Sequence, residues 1–173
     1  VIGTRPDCVD EEKLDFLRDL SEGRILDGWF RELPLSAKSP GQGILRFDRP
    51  VVIVEYGIES CYDKTLRRVN RGHDFASAQK AVEMTAERGL DCGAHFILGL
   101  PGESREMMLE ECTLINSLPL TTAKFHQLQI VKGTPMEQEF ARCPQDFERF
   151  TLEEYVDFFV DMLERLRPDL CIE

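Results

Sequence analysis

Two glutamates, three histidines and six cysteines are the side chains of this sequence best equipped for chemistry, and their spacing limits what each can do. Glu55 and Glu59 lie in Val51–Ser60, a β-branched run that reads as a buried strand. Alternation sets Glu55, Gly57 and Glu59 on one face and Val52, Val54, Tyr56 and Ile58 on the other. The two carboxylates are then spread roughly 13 Å along the strand, too far apart to act on one bond as an acid–base pair. Glu59 falls at the carboxyl rim, where a ligand would meet it. Glu55 is deeper, and a buried carboxylate needs a hydrogen-bond donor nearby. His95 shares a strand face with Gly93, Ile97 and Gly99, and His126 shares another with Lys124, Leu128 and Ile130. Each histidine is a candidate for substrate binding or proton transfer, with a satisfied structural histidine as the alternative. Glu103 suits the dipole of the helix that opens after Ser104.

The cysteines are Cys8, Cys61, Cys92, Cys112, Cys143 and Cys171. They form no CxxC or similar cluster, so no local metal site is expected. Their scatter fits reduced thiols in a cytoplasmic protein.

The elements that must position these groups alternate along the chain. Val1–Arg5 reads as a short strand, followed by a helix with Asp10 as N-cap, Glu11 and Glu12 in its first turn and Gly23 as its stop. Residues 22–50 carry little pattern and several prolines and glycines. They read as an insertion-like surface excursion anchored by Trp29, Phe30 and Leu33, or as a lid. A short basic helix is predicted over Asp63–Asn70, then one capped by Asp74 with a stripe of Phe75, Ala78, Val82 and Thr85. The strand Asp91–Leu98 stops at Gly99, Pro101 and Gly102, and Ser104 caps a helix buried through Met108, Cys112 and Ile115. A strand over Thr122–Val131 leads to a helix opened by Pro135. Thr151 and Glu154 make a capping box before a stripe of Leu152, Tyr155, Val156, Phe159, Met162, Leu163 and Leu166. Leu170–Ile172 begins one more strand. Such alternation implies an α/β fold with a parallel sheet. No GxGxxG or Walker A pattern is present, which disfavours dinucleotide and P-loop folds. The expectation is a parallel-stranded partial (β/α) barrel of about four to five βα units, whose ligands sit at the carboxyl ends of the strands.

The chain has 173 residues with 21 Lys+Arg and 32 Asp+Glu, a formal net charge of −11. That balance argues against a broad nucleic-acid or anionic-membrane surface. No apolar run reaches transmembrane length and no signal peptide is evident. The chain opens on Val1 without Met, and reads as a fragment of a longer protein. A barrel cut in this way would expose edge strands at Val1 and near Leu170, so self-association through one of them is expected.

Four stretches in order, Gly3-Thr-Arg-Pro-Asp7, Val54-Glu-Tyr-Gly-Ile-Glu-Ser60, Phe96-Ile-Leu-Gly-Leu-Pro-Gly-Glu103 and His126-Gln-Leu with Gly133-Thr134, resemble successive strand ends of the radical S-adenosylmethionine (SAM) enzymes, and most nearly their YhcC-type branch. The resemblance spans nearly all of residues 1–173 except the insertion-like 22–50, as the C-terminal portion of the barrel domain. It implies a protein that, when intact, binds SAM and a [4Fe–4S] cluster and cleaves SAM reductively to a 5′-deoxyadenosyl radical, acting on an unknown substrate as an oxidoreductase. The family's CxxxCxxC cluster loop is missing here, so the resemblance implies a chain inactive alone that binds neither cofactor tightly. Under it, Glu59 hydrogen-bonds the SAM ribose, Ile97 and Gly99 meet the adenine, and Arg5 meets the SAM carboxylate or pairs with Asp7. The rival expectation is a cluster-free α/β module that recognises a small ligand or a partner.

Overall fold

A computed structural model describes residues 1–24 and 50–173. The 25 residues between hold most of the insertion-like excursion, so the readings of its lid, its anchors and its position lie outside the described residues. Five strands form one sheet in sequence order, every neighbouring pair parallel: β1 (Ile2–Thr4), β2 (Ile53–Glu59), β3 (Asp91–Leu98), β4 (Thr122–Gln127) and β5 (Cys171–Ile172). Helices intervene: α1 (Glu11–Ser21), α2 (Asp63–Arg68), α3 (Phe75–Glu87), α4 (Arg105–Ser117), α5 (Pro135–Arg142) and α6 (Leu152–Arg165). The expected parallel α/β architecture is therefore the observed one, an open portion of a barrel wall.

The two faces of the sheet differ in kind. Val54, Tyr56 and Ile58 of β2, Cys92, Ala94, Phe96 and Leu98 of β3 and Ala123 of β4 are buried in one core with Ala78 and Val82 of α3, Met108, Cys112 and Ile115 of α4 and Phe158 and Met162 of α6. The other face carries Glu55, Gly57, Glu59, His95, Ile97, Lys124 and His126, all partly or fully exposed. A strand has period two, so one alternating sequence supplies an apolar face for helices and a polar face for ligands. A smaller cluster of Leu14, Val52 and Leu90 closes the amino end of the sheet under α1. There the Arg88 guanidinium ties α3 to Asp15 at 2.9 Å.

Local chemistry sets the helix starts. Asp10, Asp74, Ser104, Thr134 and Thr151 each accept a hydrogen bond from the backbone N–H three residues on. Thr151 and Glu154 complete the capping box in both directions.

Three expectations need correcting. β4 ends at Gln127, not Val131. Its partner β3 turns away at Gly99, whose φ of 86° leaves the strand, and the Leu128 N–H to Leu98 carbonyl bond at 2.9 Å is the last rung. A parallel strand runs only as far as its neighbour offers a ladder. The basic helix stops at Arg68, and Asn70 takes a left-handed φ of 54° beyond it. On α6, Phe158 is buried although the predicted stripe omits it, while Leu152, Val156 and Leu163 are 79%, 51% and 40% exposed. This helix is apolar around much of its circumference. Packing against α4 through Phe158 and Met162, aided by the Asn116 amide donating to the Arg165 carbonyl at 2.8 Å, selects the buried side.

Candidate functional site

The carboxyl end of β2 departs from regular strand geometry. Gly57 pairs with His95 and Glu59 with Phe96, so one residue is extra and the strand bulges. Glu59 has φ 72°. That left-handed region is uncommon for a residue with a Cβ, and such strain persists only where surroundings over-determine it. The next residues supply the anchors. The Cys61 N–H donates to Glu111 Oε1 at 2.6 Å, the Ser60 hydroxyl to Glu103 Oε1 at 2.5 Å and the Tyr62 hydroxyl to the Met107 carbonyl at 2.8 Å. The rim of β2 is thereby fastened to the start of α4.

This corrects the reading of Glu103. It is 2% exposed and turned inward to Ser60, where it shares the hydroxyl with Glu111, itself 1% exposed. Burial raises the Glu103 carboxyl above its usual range. Burial first, and then the neighbouring Glu103 charge, push Glu111 up to about 8. One of the two therefore keeps a proton near neutrality. The sequence does carry a signal for Glu111: a glutamate stands on the buried stripe of α4, between Met108 and Ile115.

The Glu59 side chain returns over the open face. Its Oε1 lies 2.9 Å from Arg71 Nη2, and Arg71 also donates from Nε and Nη2 to the Gly57 carbonyl at 3.2 and 2.6 Å. His73 Nε2 reaches the same carbonyl at 3.2 Å. Gly57 is required for this arrangement. A Cβ there would stand 2.3 Å from Arg71 Nη2 and 2.6 Å from Glu59 Oε1. Nothing in the sequence marks Arg71, read as part of a turn, as the partner of Glu59.

Deeper on the same face, His95 and His126 meet. His126 Nε2 is 3.3 Å from His95 Nδ1, and His95 Nε2 is 3.2 Å from Glu55 Oε2. His95 is thus the local partner Glu55 requires. Lys124, beside His95 in the register, is held by Glu173 at 3.0 Å.

The remaining candidates are placed differently. Ile97 lies opposite His126, partly buried on the open face. Gly99 is buried, and its N–H donates to the Met108 sulfur at 3.1 Å. Arg5 is paired with Asp7, Nε to Oδ1 at 2.9 Å and Nη2 to Oδ2 at 2.5 Å, and lies beside Gly72 in the loop that carries Arg71 and His73. The sheet thus brings Glu59, His95, Ile97 and His126 to one face, with Arg5 at its rim and Gly99 behind the turn.

The buried cysteines have surroundings that suit thiols rather than iron ligands. Cys61, Cys92 and Cys112 are buried on the helix-covered side. Burial pushes their thiols up, to about 12 for Cys92 and about 11 for Cys112. Iron takes the thiolate form. Among the described residues no group of three His, Cys, Asp or Glu side chains is set to hold a metal ion. The described residues do not fit a [4Fe–4S] cluster.

The model of the Radical SAM superfamily matches residues 44–115, and that of the Radical_SAM C-terminal domain matches residues 120–173. The uncharacterized protein MJ0486 of Methanocaldococcus jannaschii is 32% identical over 172 residues, covering 99% of this chain and 45% of the relative. Protein YhcC of Escherichia coli is 31% identical over 169 residues, covering 98% and 46%. The chain spans less than half the length of both. A solved structure of the archaeal Methanocaldococcus infernus Elp3 superposes with a TM-score of 0.72 at 20% identity, covering 99% of this chain and 34% of that one, a likeness of fold. Two matching family models over most of the chain, on a sheet of that architecture, establish that the chain belongs to the radical SAM superfamily.

Proposed function

We propose that this chain forms the adenosine-side wall of a SAM site in a longer radical SAM protein. The supporting observation is the left-handed backbone at Glu59, which costs on the order of 1–3 kcal/mol and is held by the anchors at Ser60, Cys61 and Tyr62. Strain fastened in this way has a purpose in aiming the carboxylate over the open face. There, Glu59 would accept hydrogen bonds from ribose hydroxyls, with Arg71 fixing its orientation. Ile97 would pack on the adenine. Gly99, its N–H already given to Met108, would meet the adenine only through its carbonyl. Arg5 would meet the SAM carboxylate only by giving up Asp7. His95 and His126 face the substrate side. SAM bound against this wall in the intact protein would supply radical chemistry toward a substrate held on the same face. Among the described residues no ligand set for a [4Fe–4S] cluster is present, and this reading assigns the cluster to a cysteine loop elsewhere in the longer protein.

The test is anaerobic reconstitution of the longer protein with iron and sulfide, then reduction with SAM present. The expected result is 5′-deoxyadenosine from the wild type. Glu59→Gln should yield roughly ten- to hundredfold less at limiting SAM, the value of one hydrogen bond to a charged acceptor, with cluster absorbance unchanged. A cluster-loaded protein that releases no 5′-deoxyadenosine would overturn the proposal.

A further inference from the structure

The open face of the sheet holds a chain of titratable groups whose hydrogen-bond roles are fixed by chemistry. A carboxylate only accepts, so Glu55 requires the proton of its 3.2 Å contact to sit on His95 Nε2. In a neutral imidazole the other nitrogen is then an acceptor, so His95 Nδ1 accepts from His126 Nε2 at 3.3 Å. His126 Nδ1 is left as the single basic end. Burial is graded along the line. The Glu55 side chain is 14% exposed, that of His95 is 28% exposed, and His126 lies in the open. The strand glycine opposite Glu55 leaves room for the line. A Cβ on Gly93 would fall 3.1 Å from Glu55 Cγ and 2.6 Å from Thr122 Oγ1, so a side chain there would crowd the Glu55 side chain where it lies across β3 toward His95. The cations on this face are otherwise engaged. Lys124 is with Glu173, and Arg71 is with Glu59 and the Gly57 carbonyl.

We propose that Glu55, His95 and His126 form a proton relay whose accepting end, His126 Nδ1, takes a proton from a substrate bearing an ionisable O–H or N–H group. The proposal rests on the reading that this face meets substrate. The step balances without any electron acceptor. The substrate X–H bond breaks and an N–H bond forms at His126 Nδ1. The proton on His126 Nε2 passes to His95 Nδ1, and the one on His95 Nε2 passes to the Glu55 carboxylate. The substrate is left as its anion, both imidazoles exchange tautomers and Glu55 becomes a carboxylic acid. No oxidation occurs, and the reverse sequence returns the proton. His126 is the group that touches substrate, and Glu55 and His95 are positioning residues that act through it.

The test is the imidazole nitrogen spectrum of the ¹⁵N-histidine-labelled chain, recorded on neutral imidazoles, which needs neither SAM nor a cluster. In the wild type, His95 and His126 are both expected as the Nε2–H tautomer. Glu55→Ala should move the nitrogen signals of His126 as well as those of His95, though His126 does not touch residue 55. His73, bonded to the Gly57 carbonyl, serves as the unmoved control. Glu55→Gln retains an acceptor oxygen and should restore the wild-type pattern, and circular dichroism of each variant checks the fold. An Nδ1–H tautomer at His95 in the wild type, or a folded Glu55→Ala protein with His126 unmoved, would overturn the relay. Loss of the Glu59→Gln effect on SAM cleavage with this coupling intact would overturn the cofactor-wall reading alone.

Discussion

Glu111 sits where the pattern of α4 calls for an apolar side chain, and the Cys61 N–H, with the Ser60 hydroxyl proton directed mainly at Glu103, offsets only part of the cost of burying it. Its carboxyl is raised to about 8 in the folded protein against an ordinary value of 4.5. A group whose folded value is raised favours folding in its protonated form. Its contribution is complete below the unfolded value and is lost as pH rises toward the folded one. Stability should therefore fall from about pH 5 to about pH 8, at up to about 1.4 kcal/mol per pH unit for one proton. Urea melts across that range should show the slope for the wild type and a flatter profile for Glu111→Gln, which mimics the protonated acid. A second residue-scale prediction concerns Tyr56. Its hydroxyl meets Thr85 Oγ1 at 2.7 Å in the core, while Thr85 itself donates to the Ala81 carbonyl at 2.8 Å. Tyr56→Phe removes a donor and should cost about 0.5–1.5 kcal/mol. Thr85→Val strands the buried phenol and should cost more, about 1–3 kcal/mol. Equal losses in denaturant titrations would contradict that ordering.

Elements show most clearly which forces are local. The start of α5 was legible only through Pro135 in its first turn, while the capped starts of α1, α3, α4 and α6 were legible because a cap is a bond between residues three apart. The alternation of β2 was legible for the same reason, and it correctly set Glu55, Gly57 and Glu59 on one face. The buried side of α6 was not, because Leu152, Val156, Val160 and Leu163 are as apolar as Phe158 and Met162, and only contact with α4 chooses between them. That choice has a measurable consequence. Met162→Ala should cost about 2–5 kcal/mol, as for a fully buried methionine. Val156→Thr should change stability by less than about 0.5 kcal/mol, since half of that side chain already meets solvent. A large loss for Val156→Thr in thermal melts of this chain would place it in the core after all. The end of β4 was equally hidden, because the turn at Gly99 in a different strand sets it.

At the scale of the whole molecule, β1 and β5 are the outer strands of the sheet among the described residues. β1 is paired only with β2 and β5 only with β4 among the described residues, and Val1 and Ile2 are 76% and 38% exposed. Such edges are templates for further pairing. We expect these 173 residues taken by themselves to self-associate with rising concentration in sedimentation velocity, weakened by Ile2→Lys, whose charge blunts the edge. A monomer at every concentration would count against it. The sequence by itself determined the βα alternation, the caps, the polar strand face and the separation of the cysteines, because each follows from residue period, local hydrogen bonding or spacing. Only the tertiary structure decided that Arg71 holds Glu59, that Glu103 turns inward to Ser60 and that Glu55, His95 and His126 fall into one line. Those contacts join residues 12 to 43 positions apart along the chain. Strand register, the bulge at Glu59 and the missing Cβ atoms of Gly57 and Gly93 bring them together, and all of these are properties of neighbouring strands rather than of any one stretch.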